Sequence, residues 1–313
     1  MTNTTSTNLL VELFVEELPP KALKKLGEAF SQTLLAQLQQ LGLATPTSQV
    51  TAYATPRRLG ARITEVTIKG ADKSVQQKLM PASVGLGATG DASPALIKKL
   101  QSLGVAADAM TATVAGLKRI FDGKTENLFY EAQVAGATLQ EGLQRAIDET
   151  IAKLPIPKVM TYQLADGWTD VKFVRPAHSL MALHGNSIVP VTALGLKAGN
   201  TTQGHRFEGV KSIAIKDADS YEAQLRDEGA VIASFTARRA DIEKQLATAA
   251  ANAGAGLTAI KDEALLDEVT SLVERPNVLT CEFEKEFLDV PQECLILTMK
   301  ANQKYFPLLD GNG

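Results

Sequence analysis

Residues 9–41 read LLVELFVEELPPKALKKLGEAFSQTLLAQLQQL. The first seven make an apolar run of strand length, closed by Glu16, Glu17 and the pair Pro19 and Pro20. From Lys21 onward, Leu23, Leu26, Phe30, Leu34, Leu38 and Leu41 recur at spacings of three and four, the apolar stripe of a helix that Gly42 can stop. Residues 50–54 and 59–68 then read as strands, with Pro56 at the break because it cannot donate to a ladder. This β-α-β-β start sets the expected class: α+β, with mixed α/β layers and mainly antiparallel sheets.

Outward from this start, residues 72–115 are rich in Gly, Ala, Ser and Pro and predict a small helical insertion, with a helix over 94–103 capped by Ser93 and opened by Pro94. Residues 116–121 and 128–134 flank the polar DGKTEN as a hairpin does, and Thr138 with Glu141 predicts a capping box for a helix carrying Leu139, Leu143, Ile147 and Ile151. LPIPK, residues 154–158, supplies the expected boundary: a domain over 1–153 and a second over 154–313. The second half predicts strands at 171–174, 179–183, 188–196 and 211–215. Helices follow at 221–227 after an Asp219 cap, at 236–251 and at 263–273, then strands at 277–283 and 304–309. The last strand runs into Asp310-Gly311-Asn312-Gly313, a hairpin signal with no following strand, as expected of a chain cut inside a longer protein.

With 313 residues, 45% of them hydrophobic, the chain can bury two cores, and a net charge of −3 argues against binding nucleic acid through overall basicity. No run is long and apolar enough to span a membrane, and MTNTTSTN lacks the order of a signal peptide, so a cytosolic location is expected. Cys281 and Cys294 are too few for a disulfide framework and too far apart for a CxxC pair.

All three histidines, His178, His184 and His205, fall within residues 173–207 beside Arg175 and Arg206, among turn residues where scaffolds present recognition groups. A polyanion such as RNA suits that surface. Arg57, Arg58 and Arg62 make a second basic group, with Arg58 and Arg62 on one strand face, and Lys300, Gln303, Lys304 and Tyr305 a third, where Tyr305 or Phe306 can stack on an unpaired base. The plainer alternatives are hydrogen-bonded histidines and cations paired with neighbouring carboxylates. GLGATG, residues 85–90, matches a dinucleotide-binding spacing but follows LMPASV, a poor buried strand, and reads as a linker. No spacing announces a metal site, a nucleophile elbow or a Walker loop, so no catalytic residue and no metal or nucleotide ligand is expected here.

Taken in order, VELFVEELPPKALKKL, ATPRRLGARI, KLPIPKVM, FVRPAHSLMALHG, GHRF, LLDEVTSLVERPNVLTCEFEKEFLDVP and LTMKANQKYFPL closely resemble the N-terminal part of the β subunit of bacterial-type glycyl-tRNA synthetase, from about Leu10 to Phe306. The resemblance implies part of an α2β2 ligase that joins glycine to tRNA(Gly), with ATP and Mg used on the α subunit and tRNA engaged mainly by β. It also implies that 154–313 resembles the editing-type domain of the phenylalanyl-tRNA synthetase β chain. Neither membrane nor DNA is expected as a partner, and the piece alone is expected to be inactive. Two further expectations stand beside tRNA binding and assembly. One is hydrolytic editing, with His178 or His205 as base near Thr201 or Thr202. The other is a purely structural docking region for the α subunit.

Overall fold

The computed structural model describes residues 6–87 and 89–311. It forms two compact units, one from the chain before Gly70 and after Ala137, the other from Gly70–Ala137. In chain order the first unit supplies β1 (Ser6–Val15), α1 (Pro20–Gln40), β2 (Val50–Thr55) and β3 (Arg58–Thr67). The second holds β4 (Lys73–Pro81), α2 (Ala82–Gly85), α3 (Pro94–Ser102), α4 (Met110–Ala115), β5 (Lys118–Phe121) and β6 (Glu126–Val134). The first resumes with α5 (Leu139–Lys153), β7 (Met160–Gln163), β8 (Asp170–Phe173), β9 (Ala177–His184), β10 (Ser187–Ile188), β11 (Thr192–Ala193), β12 (Leu196–Gly199), β13 (Thr201–Thr202) and β14 (Ile213–Ala214). It ends with α6 (Tyr221–Asp227), α7 (Phe235–Ala253), β15 (Thr258–Ala259), α8 (Glu263–Thr270), α9 (Gln292–Thr298) and β16 (Leu308–Leu309).

The main sheet runs β11-β12-β9-β1-β3-β2, with β10 also on β9. Its pairs are antiparallel except β12 with β9. β1 lies at its centre, so Val11 pairs with Ala61 on one side and Ala182 on the other. Both faces are covered, which is why LLVELFV is apolar at every position but Glu12 instead of alternating. Leu9, Val11, Leu13 and Val15 join Leu23, Leu26, Phe30 and Leu34 of α1 and Leu143 and Ile147 of α5 in one core. Leu10 turns to the other face, with Tyr53, Met181, Leu183, Ile213, Tyr221 and Leu225. The stripe of α1 is buried as its spacing requires, and Gly42 ends the helix at φ +73°, a left-handed conformation suited to glycine. α5 carries the expected capping box between Thr138 and Glu141.

In the second unit, β4-β6-β5 form an antiparallel sheet, and Ala82, Leu96, Leu100, Val105 and Leu128 form the core. Ser93 caps α3 by accepting from the Leu96 amide. The expected helical insertion is thus an α+β unit reaching Ala137, and its first element is the strand β4. Pro81 is tolerated as the last residue of β4. In GLGATG, Gly85 closes α2 and Leu86 bridges to Ala92, a turn and not the mouth of a long helix.

The expected boundary at 153/154 does not divide the structure, because β9 returns to pair with β1. The strand expected over 188–196 breaks at Pro190 and at Leu194 and Gly195, which have φ of 52° and 80°. Ser220, not Asp219, is the first residue of the α6 cap, without a side-chain bond. Residues 277–283 form no strand, and of 304–309 only β16 is one, paired antiparallel with β15. Part of the expected Asp310–Gly313 turn lies outside the described residues.

Candidate nucleic-acid interface

β1, the β2–β3 turn and the segment entering β9 are stitched together by backbone hydrogen bonds. The Val15 amide donates to Arg57 O at 2.8 Å, Glu16 to Pro176 O at 2.9 Å and Leu18 to Pro56 O at 2.7 Å. The stitch carries charged side chains from distant parts of the chain to one sheet end. Arg175 Nε donates to Glu17 O at 2.8 Å, which anchors its guanidinium. His178 Nε2 lies 2.9 Å from Glu16 Oε1. Arg206 Nη2 and Nη1 stand 3.7 and 3.9 Å from Glu16 Oε2 and Glu17 Oε1, beyond hydrogen-bond length, and its side chain is 50% exposed. The Arg57 guanidinium lies 4.7 Å from the Phe14 ring centroid. Burial, and then the like charge of Arg206, pull the Arg57 pKa below its ordinary value.

Arg57, Arg175, His178 and Arg206 are therefore brought together, with Glu16 and Glu17 among them. His205 precedes Arg206 but is engaged by its own loop: its amide donates to Gly229 O at 2.7 Å, and Nδ1 accepts from the Phe207 and Glu208 amides at 3.4 and 3.3 Å. Two kinds of residue escape the sequence pattern. Glu16 and Glu17 orient the cations, and Phe207, 87% exposed with its edge on His205, offers an aromatic face. An aromatic immediately after the cations of GHRF is the available signal for the latter.

The other candidates fall elsewhere. Arg58 is fully buried and cannot meet an external phosphate: Nη1 bonds Glu274 Oε1 at 2.7 Å, Nη2 bonds Gln203 O at 2.6 Å, and Nε contacts Glu12 Oε2 at 3.4 Å. Burial alone would lower its pKa, but Glu274 and Glu12 raise it. Thr55 Oγ1 also donates to Glu274, and the Tyr221 hydroxyl to Glu12. Arg62 is half-buried and pairs with Asp219 at 3.3 Å. Lys300 pairs with Asp262, and Lys304 with Glu268 at 3.1 Å, while Gln303 and Tyr305 are exposed on the same C-terminal segment. His184 is structural, its Nε2 2.7 Å from Val66 O. Thr202 is buried with Oγ1 unpartnered, and among the described residues no hydrogen bond links a Ser or Thr hydroxyl to His178 or His205.

Fold and cluster together are those of an α+β protein with an arginine-rich, mixed-charge surface, without an assembled nucleophile–base pair among the described residues. Residues 9–313 match the family model described as glycyl-tRNA synthetase beta subunit. The chain is 66% identical to the glycine–tRNA ligase beta subunit of Polaromonas naphthalenivorans (strain CJ2), over 99% of its own length and 44% of that protein's. To the subunits of Acidovorax sp. (strain JS42) and Dechloromonas aromatica (strain RCB) it is 67% and 63% identical, each over 98% of its length and 42% and 44% of theirs. This chain belongs to the glycyl-tRNA synthetase beta-subunit family, and it spans less than half the length of these curated relatives. Among the described residues, no helix is long and apolar enough to cross a membrane.

Proposed function

We propose that this region is the tRNA-contacting and assembly part of a glycyl-tRNA synthetase β chain, serving ATP-dependent attachment of glycine to tRNA(Gly) in the cytoplasm. Glycine activation, with its ATP and Mg, belongs in this reading to an α subunit in an α2β2 enzyme. The observation that carries it is the convergence of Arg57, Arg175 and Arg206 at one sheet end, with Arg206 half exposed and held to Glu16 and Glu17 only through contacts of 3.7 and 3.9 Å. Contacts that long give up little when the guanidinium turns to a phosphate, where it can make paired, charge-assisted bonds. Phe207 beside it can stack on an unpaired base. Such grips fix the register of an RNA without reading its sequence, and positioning converts an encounter into an intracomplex step. The likeness of residues 154–313 to an editing-type domain belongs to the same proposal, with this part of the chain, which shares its main sheet with β1, orienting tRNA rather than hydrolysing its ester.

The test is tRNA(Gly) binding by the complete α-plus-β enzyme over a salt series. Arg57→Ala/Arg206→Ala should weaken binding by about tenfold or more and flatten the salt slope by about 0.7–0.9 for each phosphate that is no longer neutralised. Unchanged affinity and slope would withdraw the cluster. The carboxylates among the cations also suit a subunit contact, and loss of α2β2 assembly with tRNA affinity intact would favour that second reading.

A further inference from the structure

The first unit carries a groove of about 1040 Å³ whose lining includes none of Arg57, Arg175, His178, Arg206 and Phe207, although Gln303, Lys304 and Tyr305 stand on it. One wall is Ile242, Leu246 and Ala249 of α7 with Val269 of α8, and the other is the segment from Pro276 to Asp310, including Leu279, Ile296 and Leu308. That segment does not close on itself. None of residues 277–311 is buried, and Leu279, Leu288 and Leu297 are 74%, 67% and 67% exposed. α9 has seven residues, none of them buried. A helix so short does not hold in water without packing, and leucines left this open on one segment call for a covering surface.

Three observations say what covers it. β16 lines the groove and pairs with β15 alone among the described strands, leaving one edge open. The sequence next to β16, Asp310-Gly311-Asn312-Gly313, carries two Asx-Gly pairs, the strongest short hairpin signal. The matched stretch is only 44% of the Polaromonas protein, so more than half of that relative lies outside it. A tethered segment has a high effective concentration at such a surface, which a separate chain must reach by diffusion. We propose that this groove is the seat of the polypeptide that follows Gly313 in the complete β chain, entering as a strand on the open edge of β16 with alternate apolar side chains directed into the groove.

Cys281 lines the groove and is exposed here, so it reports directly. In the complete β chain, maleimide labelling of Cys281, followed by peptide mass spectrometry, should run at least tenfold slower than in the same chain carrying Leu246→Asp. Leu279→Asp, at a side chain open to solvent here, should likewise speed labelling and lower the Tm of the complete chain, with circular dichroism confirming that each variant is folded. Three results would overturn the proposal: Cys281 labelled in the complete β chain as fast as in urea, protection that appears only on adding the α subunit, or protection that depends on β-chain concentration. The last two would assign the groove to a partner or to a second copy. None of these outcomes depends on tRNA affinity.

Discussion

Arg57 and Arg58 are neighbours in sequence and opposites in environment. Arg58 sits between Glu274 and Glu12 with no exposed surface, and Arg57 lies at the rim over Phe14. Removing Arg58 strands two buried carboxylates, one of which, Glu12, already has an oxygen without a hydrogen-bond partner. Arg58→Met should therefore destabilise the protein by about 3–5 kcal/mol, the usual cost of breaking a buried pair from one side. Arg57→Ala should cost under about 1 kcal/mol, as surface changes do. Urea titration separates the two; equal midpoints would show that Glu12 and Glu274 reach water when Arg58 is replaced. The doublet alone cannot reveal this difference, because both arginines read as surface cations. Glu12 is the sign that does. A carboxylate inside an apolar run on a two-faced strand must meet a buried cation or hydroxyl, and here it meets Arg58 and Tyr221.

α8 shows how an element of eight residues is held by its charges. Asp262 caps it by accepting from the Leu265 amide at 2.9 Å, and the hydrogen bond from Lys300, with that cap, keeps its carboxyl below the ordinary range. Asp267 bridges Lys24 of α1 at 2.8 Å and Arg239 of α7 at 2.9 Å. Burial alone would raise its pKa, but these partners bring it below the ordinary value. With folded pKa values depressed, the unfolded chain takes up protons first. This stabilisation is complete above the unfolded value near about pH 4 and is lost as pH falls through the folded ones. Hydrogen-exchange protection factors across α8, referenced to the intrinsic amide rate at each pH, should hold steady down to about pH 5 and then fall toward about pH 3. Asp267→Asn should reduce that acid sensitivity, and an unchanged acid response would place it elsewhere. Elements with local signatures are legible in the sequence: the stripe of α1, the Ser93 cap of α3 and the capping box of α5. Those depending on a distant partner are not. β4 escapes notice because KSVQQKLM, on a small unit, buries little and shows no apolar face. Residues 277–283 suggest a strand on apolar content alone, although no ladder reaches them.

The molecule's division follows chain closure rather than proline content. LPIPK suggests a boundary, yet the chain passes through it and returns as β9 against β1, a pairing that no local pattern announces. The true division is an insertion with its ends together: the Gly70 amide donates to Ala137 O at 2.9 Å, and Lys69 bridges antiparallel to Thr138. Its core of Ala82, Leu96, Leu100, Val105 and Leu128 is small, in a unit of under about 70 residues, a size at which one apolar core supplies only about 3–5 kcal/mol. The first unit keeps its own cores on both faces of the sheet, and β3 and α5 are already juxtaposed where the insertion leaves, since the Leu139 amide donates to Ile68 O at 2.8 Å. Replacing residues 70–137 with a short glycine link should therefore leave cooperative unfolding of the remainder, with stability within about 2 kcal/mol of the parent because loop closure changes only slowly with length. The excised 70–137 piece should melt at lower urea. Loss of the near-ultraviolet signal from the buried Tyr53 and Tyr221 on deletion would show instead that the main sheet depends on the inserted unit.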